Sequence, residues 1–280
     1  MSTLPHISLI REQVSLALAE DLGSGDLTAE LLDEHVIARA HIVCRDNAVV
    51  CGIAWVDEVF HRMDERIEIE WQVRDGELVA PGTVLCELHG NNRSLLSGER
   101  TALNYLQTLS ATATLTRRYV EAVKGTGVTI LDTRKTIPGL RMQQKYAVVC
   151  GGGQNHRMGL YDAILLKENH VQIAGSIGAA LIRADQIAPD GVEIEIEVES
   201  LAQLEEALAA GAKRVLLDNF EVKLLSEAVK LNAGRARLEA SGGVTLKTIR
   251  PIAETGVDYI SIGALTKDLR AVDLSMLFID

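Results

Sequence analysis

From residue 128 onward the chain alternates short apolar runs with amphipathic helical stretches. The apolar runs are rich in β-branched and aliphatic residues and end in polar residues, and the stretches between them carry apolar residues at three- and four-residue steps. Repeated strand–helix units of this kind predict parallel strands joined by right-handed crossovers. The predicted strands are VTILDTRK, AILLKENH, VEIEIEVES, RVLLDNF, RLEASGG and YISIGA.

Two α/β architectures are compatible with six predicted strands. One is an open doubly wound sheet, and the other is an incomplete barrel with fewer than the eight strands of a full α/β barrel. Each predicted strand ends in polar residues at its carboxyl end, where a barrel builds its site. The pattern therefore favours the incomplete barrel.

The first part of the chain has a different pattern. Residues 9–20 have helical apolar spacing, and the following segments combine alternating apolar residues with Asp-Gly and Pro-Gly turn signals. This predicts an α+β module in residues 1–110. A long helical stretch, residues 94–125, is expected to contain the boundary with the second domain, residues 111–265.

The segment VEIEIEVES places glutamates on alternate positions 193, 195, 197 and 199. A strand sends alternate side chains to opposite faces, so the segment is either a surface strand or a barrel strand whose acids point inward. In the barrel interpretation Glu195 needs a cationic partner, for which Lys167 or an arginine of an adjacent strand is expected. Glu197 would then lie at the mouth of the barrel.

Composition narrows the possible partners. The 280 residues are 47% hydrophobic with a net charge of −11, which argues against nucleic acid or an anionic membrane as the partner. No signal-peptide core or membrane-spanning stretch is evident. The four cysteines lack metal-site or disulfide-framework spacing, so we expect reduced, mostly buried thiols in a cytoplasmic protein.

Positive charge is concentrated between residues 134 and 167. Asp162 is the only acidic residue of this span, which predicts an anion site in preference to a solvated basic loop. The cations are Arg134, Lys135, Arg141, Lys145, Arg157 and Lys167. His156, beside Arg157 in a glycine-rich loop, is either a ligand-facing donor or a core histidine.

Glycine turns and acids follow the later strands. Residues 241–243 (SGG) and 261–263 (SIG) are either a phosphate cradle or ordinary tight turns. Glu197 and Asp218 suit ribose hydroxyls or Mg²⁺ with substrate phosphates, and structural salt bridges are the alternative. Composition and spacing thus predict a polyanion site in an α/β protein.

One long segment is more specific than these patterns. Residues 131–170, LDTRKTIPGLRMQQKYAVVCGGGQNHRMGLYDAILLKENH, resemble the signature of the quinolinate phosphoribosyltransferase family. ERTALN at 99–104, EDLGSGDLT at 20–28 and the SGG and SIG turns also match in the family's order. The resemblance covers nearly the whole chain.

The resemblance implies a fold and a reaction. The fold is an N-terminal α/β sandwich followed by an incomplete six-stranded α/β barrel, with a C-terminal tail (266–280) that packs back on the first domain. The reaction converts quinolinate and phosphoribosyl pyrophosphate, with Mg²⁺, to nicotinate mononucleotide, pyrophosphate and CO₂ in de novo NAD synthesis.

The resemblance also implies site residues. Those that bind substrate include Thr133, Arg134, His156, Arg157 and Lys167. Lys135 lies on the pyrophosphate side, and Glu197 and Asp218 lie at the ribose hydroxyls and the metal-bound pyrophosphate, holding the metal indirectly. The four implied catalytic residues are Lys135, Lys167, Glu197 and Asp218. The cradle for the 5′-phosphate is Ser241, Gly242, Gly243, Ser261, Ile262 and Gly263. Arg100 is implied to reach the neighbouring subunit's site in a homodimer.

Two other functions remain open at this stage. A paralogous phosphoribosyltransferase would use a different acceptor, such as nicotinate, or would be a molybdenum-transport-associated homologue. The segment VRDGELVAPGTVL resembles the hairpins of lipoyl- or biotinyl-carrier domains, but its turn offers no lysine for a cofactor.

Overall fold

The computed structural model describes residues 4–279, which form two compact units. The first unit comprises residues up to Arg117, Met142–Gly152 and the residues from Asp268 onward. The second comprises Arg118–Arg141 and Gly153–Lys267. Residues 142–152 therefore belong to the first unit, although they lie within the segment 111–265.

The first unit combines helices with an antiparallel sheet. Its helices are α1 (Ile7–Leu22), α2 (Ile53–Met63), the first part of α3 (Asn92–Ala122) and most of α4 (Arg141–Cys150). Its strands are β1 (Ile37–Cys44), β2 (Ala48–Val49), β3 (Glu68–Trp71), β4 (Leu78–Val79), β5 (Val84–Asn91) and β12 (Leu274–Ile279). The main sheet has the order β12-β1-β5-β3, and β2 pairs separately with β4.

Apolar periodicity explains the first helix. Ile10, Val14 and Leu18 recur every four residues and are buried on one face of α1, which confirms the helix predicted over residues 9–20. Trp55 and Phe60 of α2 are also fully buried in this core. The antiparallel sheet and its helices are the predicted N-terminal α/β module.

The second unit is built from parallel strands that alternate with helices. Its strands are β6 (Thr129–Leu131), β7 (Ala163–Leu166), β8 (Glu193–Val198), β9 (Arg214–Asp218), β10 (Arg237–Ser241) and β11 (Tyr259–Ser261). Its helices after β7 are α5 (Glu168–Ala174), α6 (Ile177–Ile187), α7 (Leu201–Ala209), α8 (Val222–Asn232), α9 (Ile249–Ala253) and α10 (Ala264–Lys267).

The sheet of the second unit has the order β6-β11-β10-β9-β8-β7. Every predicted strand is present, and all neighbouring pairs are parallel. The first strand, β6, pairs with the last, β11, and the other strands follow in chain order, as in a barrel and not in a doubly wound sheet, while within residues 4–279 β6 and β7 do not pair to close it. The predicted incomplete barrel is therefore confirmed.

Both faces of β8 are covered at its centre. Glu195 is 3% exposed and Ile196 is fully buried, whereas Glu193 at the start of the strand is exposed and Glu197 is half-buried. This excludes the surface-strand interpretation of VEIEIEVES. The alternate glutamates form a column that runs from water at one end of the strand through the interior of the second unit.

In the part of the chain that the structure describes, no helix combines the length and apolarity needed to cross a bilayer.

Candidate active site

The carboxyl ends of the parallel strands bring most of the predicted site residues of the second unit to one edge. Because neighbouring parallel strands run in the same direction, side chains that follow them share that edge. The residues placed there are Thr133, Arg134 and Lys135 after β6, Lys167 after β7, Glu197 on β8, Asp218 on β9, Ser241–Gly243 on and after β10, and Ser261–Gly263 on and after β11.

Lys167, Glu197 and Asp218 form an electrostatic group at this edge. The Lys167 Nζ lies 2.9 Å from the Glu197 Oε2. Burial, and then the charge of Glu197, raise the pKa of Asp218, while Lys167 and Lys135 act in the opposite direction. The structure therefore brings two carboxylates and two cations together. Structural salt bridges were the alternative prediction for Glu197 and Asp218, and the structure shows one of them, between Lys167 and Glu197.

Arg134 and Arg157 bring a second concentration of positive charge. Burial lowers the pKa of Arg157, and the nearby charge of Arg134 lowers it further. The Arg157 guanidinium also lies 3.5 Å from the carbonyl of Ala163. Two partly buried guanidiniums that repel each other are a suitable environment for an anion, and planar guanidiniums bind carboxylates well.

Lys135 is held between the turns after β6 and β11. Its backbone N–H donates to the Thr133 hydroxyl over 3.1 Å, and its carbonyl accepts from the Thr266 hydroxyl over 2.8 Å. A Cβ atom added to Gly263 would lie 2.9 Å from the Lys135 Cδ. The absence of a side chain at Gly263 therefore leaves room for the Lys135 side chain.

The turn after β10 packs tightly on the end of β9. Gly242 has a φ of +109°, and an added Cβ would lie 2.1 Å from the Asn219 Oδ1. Asn219 in turn donates through its side-chain nitrogen to the Asp218 carboxylate at 2.9 Å. Glycine is thus required at 242 by both conformation and space. The phosphate-cradle role of the SGG and SIG turns stays a prediction.

Arg214 neutralises a column of acids inside the second unit. Its guanidinium lies 2.6 Å from Glu193, 2.9 Å from Glu195 and 2.7 Å from Glu239. The guanidinium carbon also lies 4.7 Å from the centroid of the Tyr259 ring. The expectation that an arginine of an adjacent strand pairs with Glu195 is confirmed, since Arg214 is on β9.

Glu239 is fully buried on β10 and was not predicted as important. Burial, followed by the charge of Glu195, raises its pKa to about 6. The sequence signal was present in RLEAS, where a charged residue interrupts an apolar strand. Its partner Arg214 could not be inferred from spacing, since the contact depends on the register of β9 and β10.

His156 is largely buried beside these acids. Its Nε2 lies 2.8 Å from Glu195 and 3.5 Å from Glu239, and its Nδ1 accepts the backbone N–H of Arg157 over 2.8 Å. Burial lowers the pKa of His156, but the hydrogen bond to Glu195 and the two carboxylate charges raise it more. In the neutral ring, Nδ1 accepts from Arg157, so the proton lies on Nε2 and is donated to Glu195.

Asp132 fixes the loop that carries His156 and was missed by the sequence reasoning. This carboxylate is fully buried and accepts from the His156 backbone N–H at 2.9 Å and from the Asn155 side chain at 2.6 Å. Its position directly after β6, in LDTRK, was the available signal. His156 is therefore positioned by protein groups, and its contact with substrate stays a prediction.

The remaining cations have other surroundings. Arg141 donates to the Thr136 hydroxyl and to the carbonyls of Arg134 and Met158, so it braces the loops of the second unit. Lys145 is fully buried within the first unit. Arg100 is on α3 in the first unit, with a side chain that is 62% exposed. The predicted cluster of six cations is thus divided between different surroundings.

Two groups of side chains in the described part of the second unit have donor sets suited to metals. Glu197 and Asp218 offer the hard oxygen ligands that Mg²⁺ prefers, and their mutual repulsion would be relieved by a cation. The side chains of His156, Glu195 and Glu239 also converge within 4.8 Å of one another. Arg214 already supplies a positive charge to both of those carboxylates, so the second group does not need a metal.

The fold and this edge define an α/β-barrel protein with a cluster of cations and acids at the carboxyl ends of its strands. Two domain families match the chain: quinolinate phosphoribosyl transferase, N-terminal domain, over residues 26–110, and quinolinate phosphoribosyl transferase, C-terminal domain, over residues 112–277. The chain belongs to the quinolinate phosphoribosyltransferase family.

Individual relatives agree with this membership. A probable carboxylating nicotinate-nucleotide pyrophosphorylase of Bacillus subtilis is 44% identical over 257 residues, covering 92% of this chain and 89% of that protein. The nicotinate-nucleotide pyrophosphorylase structure from Francisella tularensis matches with a TM-score of 0.96 at 42% identity, over 99% of this chain and 98% of that one. NadC from Streptococcus pyogenes matches with a TM-score of 0.95 at 38% identity, over the full length of both chains.

Proposed function

We propose that this protein transfers the phosphoribosyl group of phosphoribosyl pyrophosphate to quinolinate and releases pyrophosphate and CO₂. The product is nicotinate mononucleotide, and the reaction supplies NAD biosynthesis. The observation that carries the proposal is the shared strand edge of the second unit. There, a chain of this family places the cations Lys135 and Lys167 near the acids Glu197 and Asp218.

The cations suit the acceptor. Quinolinate carries two carboxylates on one ring, and Arg134, Arg157 and Lys167 offer planar and point charges for them. Lys167 is already held by Glu197, which fixes its direction without removing its charge. These side chains orient the ring nitrogen toward the ribose carbon, and such positioning accounts for a large part of the rate enhancement in many transfer reactions.

The acids suit the donor. Glu197 and Asp218 accept hydrogen bonds from the ribose hydroxyls, and their negative charge tolerates the cation-like ribose carbon of the transition state. Lys135 lies on the side of the leaving pyrophosphate. The turns at 241–243 and 261–263 offer backbone N–H groups to the 5′-phosphate.

The reaction balances in atoms and electrons without a covalent bond between enzyme and substrate. The quinolinate nitrogen forms a bond to the ribose carbon as the bond to pyrophosphate breaks. The quaternised nitrogen then stabilises the electron pair left on the adjacent ring carbon when CO₂ departs. A proton taken up at that carbon completes nicotinate mononucleotide.

We further propose that the enzyme uses Mg²⁺, held by Glu197 and Asp218 through substrate or water. The ion would mask the charge of pyrophosphate. Chelation is expected to abolish turnover, and added Mg²⁺ should restore it. Full activity in excess chelator would contradict the metal requirement while leaving the transfer reaction intact.

The quaternary and cellular assignments are proposals of the same kind. We propose a homodimer in which Arg100 reaches the partner's site, which is supported by its match to the family motif ERTALN and by its exposed side chain. We also propose a cytoplasmic location, which rests on the composition and on the free state of Cys44, Cys51, Cys86 and Cys150.

Acceptor choice is the decisive test. Enzyme, Mg²⁺ and phosphoribosyl pyrophosphate are mixed with either quinolinate or nicotinate, and nucleotide and CO₂ are followed together. We expect equal amounts of nucleotide and CO₂ from quinolinate. Product from nicotinate alone would instead favour a paralogous transferase.

Lys167→Ala tests whether this side chain binds the acceptor. We expect quinolinate use to fall strongly with little loss of thermal stability, because the Lys167 side chain is 48% exposed. A loss of activity that unfolding fully explains would leave the contact with Glu197 as the only role of Lys167.

A further inference from the structure

Two cysteine thiols lie close together in the first unit. Cys51 follows β2, and Cys150 is the last residue of α4, 99 positions later in the chain. The Sγ atoms of both residues and a carboxylate oxygen of Asp75 all lie within 4.8 Å of one another. Spacing in the sequence gave no sign of this pair.

The backbone on both sides of the pair is fixed. The Cys51 N–H donates to the Ser110 hydroxyl over 2.9 Å, and that hydroxyl donates to the Cys51 carbonyl over 3.2 Å. On the other side, a Cβ added to Gly76 would lie 3.3 Å from the Cys150 carbonyl oxygen. Gly76 itself donates to the carbonyl of Val50 over 2.8 Å. The closeness of the thiols is therefore built into the packing of the first unit.

Asp75 is occupied by other donors. Its Oδ1 accepts the backbone N–H groups of Gly52 (2.9 Å) and Ile53 (3.3 Å) at the start of α2, and its Oδ2 accepts the Tyr146 hydroxyl (2.9 Å). A metal bound by the three residues would have to displace these bonds, and zinc normally takes four ligands. The arrangement therefore favours chemistry of the two sulfurs alone.

The two thiols differ in access. Cys51 is fully buried, whereas Cys150 is half-buried. The hydrogen bond from Cys51 lowers the pKa of Cys150, while burial raises the pKa of Cys51. A small oxidant would therefore react with Cys150, and Cys51 would be the second thiol to react.

We propose that Cys51 and Cys150 form a peroxide-sensitive oxidation site that closes into an intramolecular disulfide. The Cys150 thiolate attacks one oxygen of hydrogen peroxide, breaks the O–O bond and becomes a sulfenic acid, and hydroxide leaves. The Cys51 sulfur then attacks the Cys150 sulfur and displaces the sulfenic hydroxyl. The Cys51 proton leaves with the sulfenic hydroxyl as one water, and the proton that Cys150 gave up on becoming a thiolate converts the hydroxide to a second water, so two thiols are oxidised to one disulfide as one peroxide is reduced. Side-chain rotation closes the remaining gap between the sulfurs.

The bond would tie the C-terminal end of α4 to the segment between β2 and α2. Gly151 directly follows Cys150. A Cβ added to Gly151 would lie 2.5 Å from the Ala113 carbonyl oxygen, so the backbone beside Cys150 is already tightly packed. The disulfide would thus join segments that are rigid before it forms, which favours closure of the bond over reaction with other molecules.

The test uses the native, unsubstituted protein. It is treated with hydrogen peroxide at concentrations up to a few equivalents, quenched with an alkylating reagent in denaturant, and analysed by mass spectrometry without reduction. We expect two thiols to be lost together, so that the protein carries two alkyl groups where the untreated control carries four, and a Cys51–Cys150 cross-linked peptide. The buried thiols of Cys44 and Cys86 are the internal controls and should be alkylated.

Two variants test the assigned order. In Cys51→Ser, peroxide should convert Cys150 to a sulfenic acid that dimedone traps, whereas Cys150→Ser should leave Cys51 unmodified. Retention of all four thiols in the native protein, oxidation of Cys44 or Cys86 at the same rate, or cross-links between chains would overturn the proposal. The main measurement is made on the native protein, so its outcome does not depend on whether either variant folds.

Discussion

Arg214 is the residue on which the interior of the second unit depends. Its guanidinium is shared by the carboxylates of Glu193, Glu195 and Glu239, two of which have almost no contact with water. Carboxylates in such surroundings are tolerated only when they are paired. Arg214 therefore also holds the two carboxylates that His156 contacts, Glu195 and Glu239.

Arg214→Ala should be strongly destabilising. The free energy of unfolding should fall by about 3–5 kcal/mol, because Glu195 and Glu239 would lose their buried partner. Chemical denaturation measures this loss. Arg237→Ala is the matched control, since Arg237 also pairs with an acid, Asp258 at 2.6 Å, but its side chain is 68% exposed. Equal losses from the two variants would contradict the assigned importance of burial.

Glu239 should make stability depend on pH in a defined window. Its pKa is raised to about 6 in the folded protein from an ordinary 4.5, so the folded state holds this proton more tightly than the unfolded state. The resulting stabilisation is complete below pH 4.5 and is lost as the pH rises through 6. Relative to Glu239→Gln, which does not titrate, the unfolding free energy of the native protein should fall by about 2 kcal/mol between pH 4.5 and 7.

The measurement is a series of denaturation curves for both proteins across that range. A difference that stays constant with pH would show that folding leaves the pKa of Glu239 unchanged, and one that grows in favour of the native protein as the pH rises would show that folding lowers it. The glutamine variant keeps the shape of the side chain, so the comparison removes most effects of packing.

The turn after β11 acts on the site through Lys135. Gly263→Ala would place a methyl group 2.9 Å from the Lys135 Cδ, and this flexible side chain would have to move. We expect turnover to fall on the order of 10- to 100-fold through misplacement of Lys135. The cost in stability should be small, because the displaced atom belongs to a mobile side chain and not to the backbone.

Steady-state kinetics with varied phosphoribosyl pyrophosphate, together with thermal unfolding, test this expectation. Gly178→Ala, within α6, is the control, since the nearest atom to its added Cβ is the Cβ of Ala210, 3.9 Å away. That change should raise the unfolding free energy by about 0.5–1 kcal/mol and leave turnover unchanged. Unchanged turnover in Gly263→Ala would show that turnover does not depend on the position of Lys135.

The parallel strands of the second unit were predictable because each one carries its own signal. The runs from VTIL to YISI are apolar, end in polar residues and are separated by segments with helical apolar spacing. The apolar pattern and the residues that end each run therefore predict the same strands. Arg214 and Asp132 were not identified, because their roles come from contacts across strands and loops. No periodicity in one strand shows which residue of the next strand faces it.

The assignment of residues 142–152 to the first unit was likewise hidden from the sequence. Its contacts, such as Tyr146 with Asp75 across 71 residues, are far apart in the chain. The family resemblance supplied the reaction and the site residues, which composition and spacing alone left as a polyanion site. The four cysteines were predicted as reduced, mostly buried thiols, and only the three-dimensional arrangement brought Cys51 and Cys150 together.

A homodimer with a shared site makes a quantitative prediction about mixed variants. Arg100→Ala and Lys135→Ala should each be nearly inactive alone. If Arg100 acts in its partner's site, a mixed dimer of the two variants contains one intact site. Unfolding and refolding them together should restore roughly one quarter of native activity.

Activity of the separately refolded variants, combined only in the assay, is the control for this experiment. No recovery in mixed dimers whose formation is verified by two different affinity tags would show that Arg100 serves its own subunit. Such a result would leave the proposed transfer reaction untouched, since it concerns the origin of one side chain.

The pairing of β12 with β1 has a consequence for synthesis of the chain. β1 lies between β12 and β5, and its register with β12 joins Arg39 to Ile279. While the ribosome is still making the second unit, the outer edge of β1 has no partner strand and is open to pairing with other nascent chains. The first unit, although it is begun first, therefore gains its last strand only after the strands of the second unit have been made.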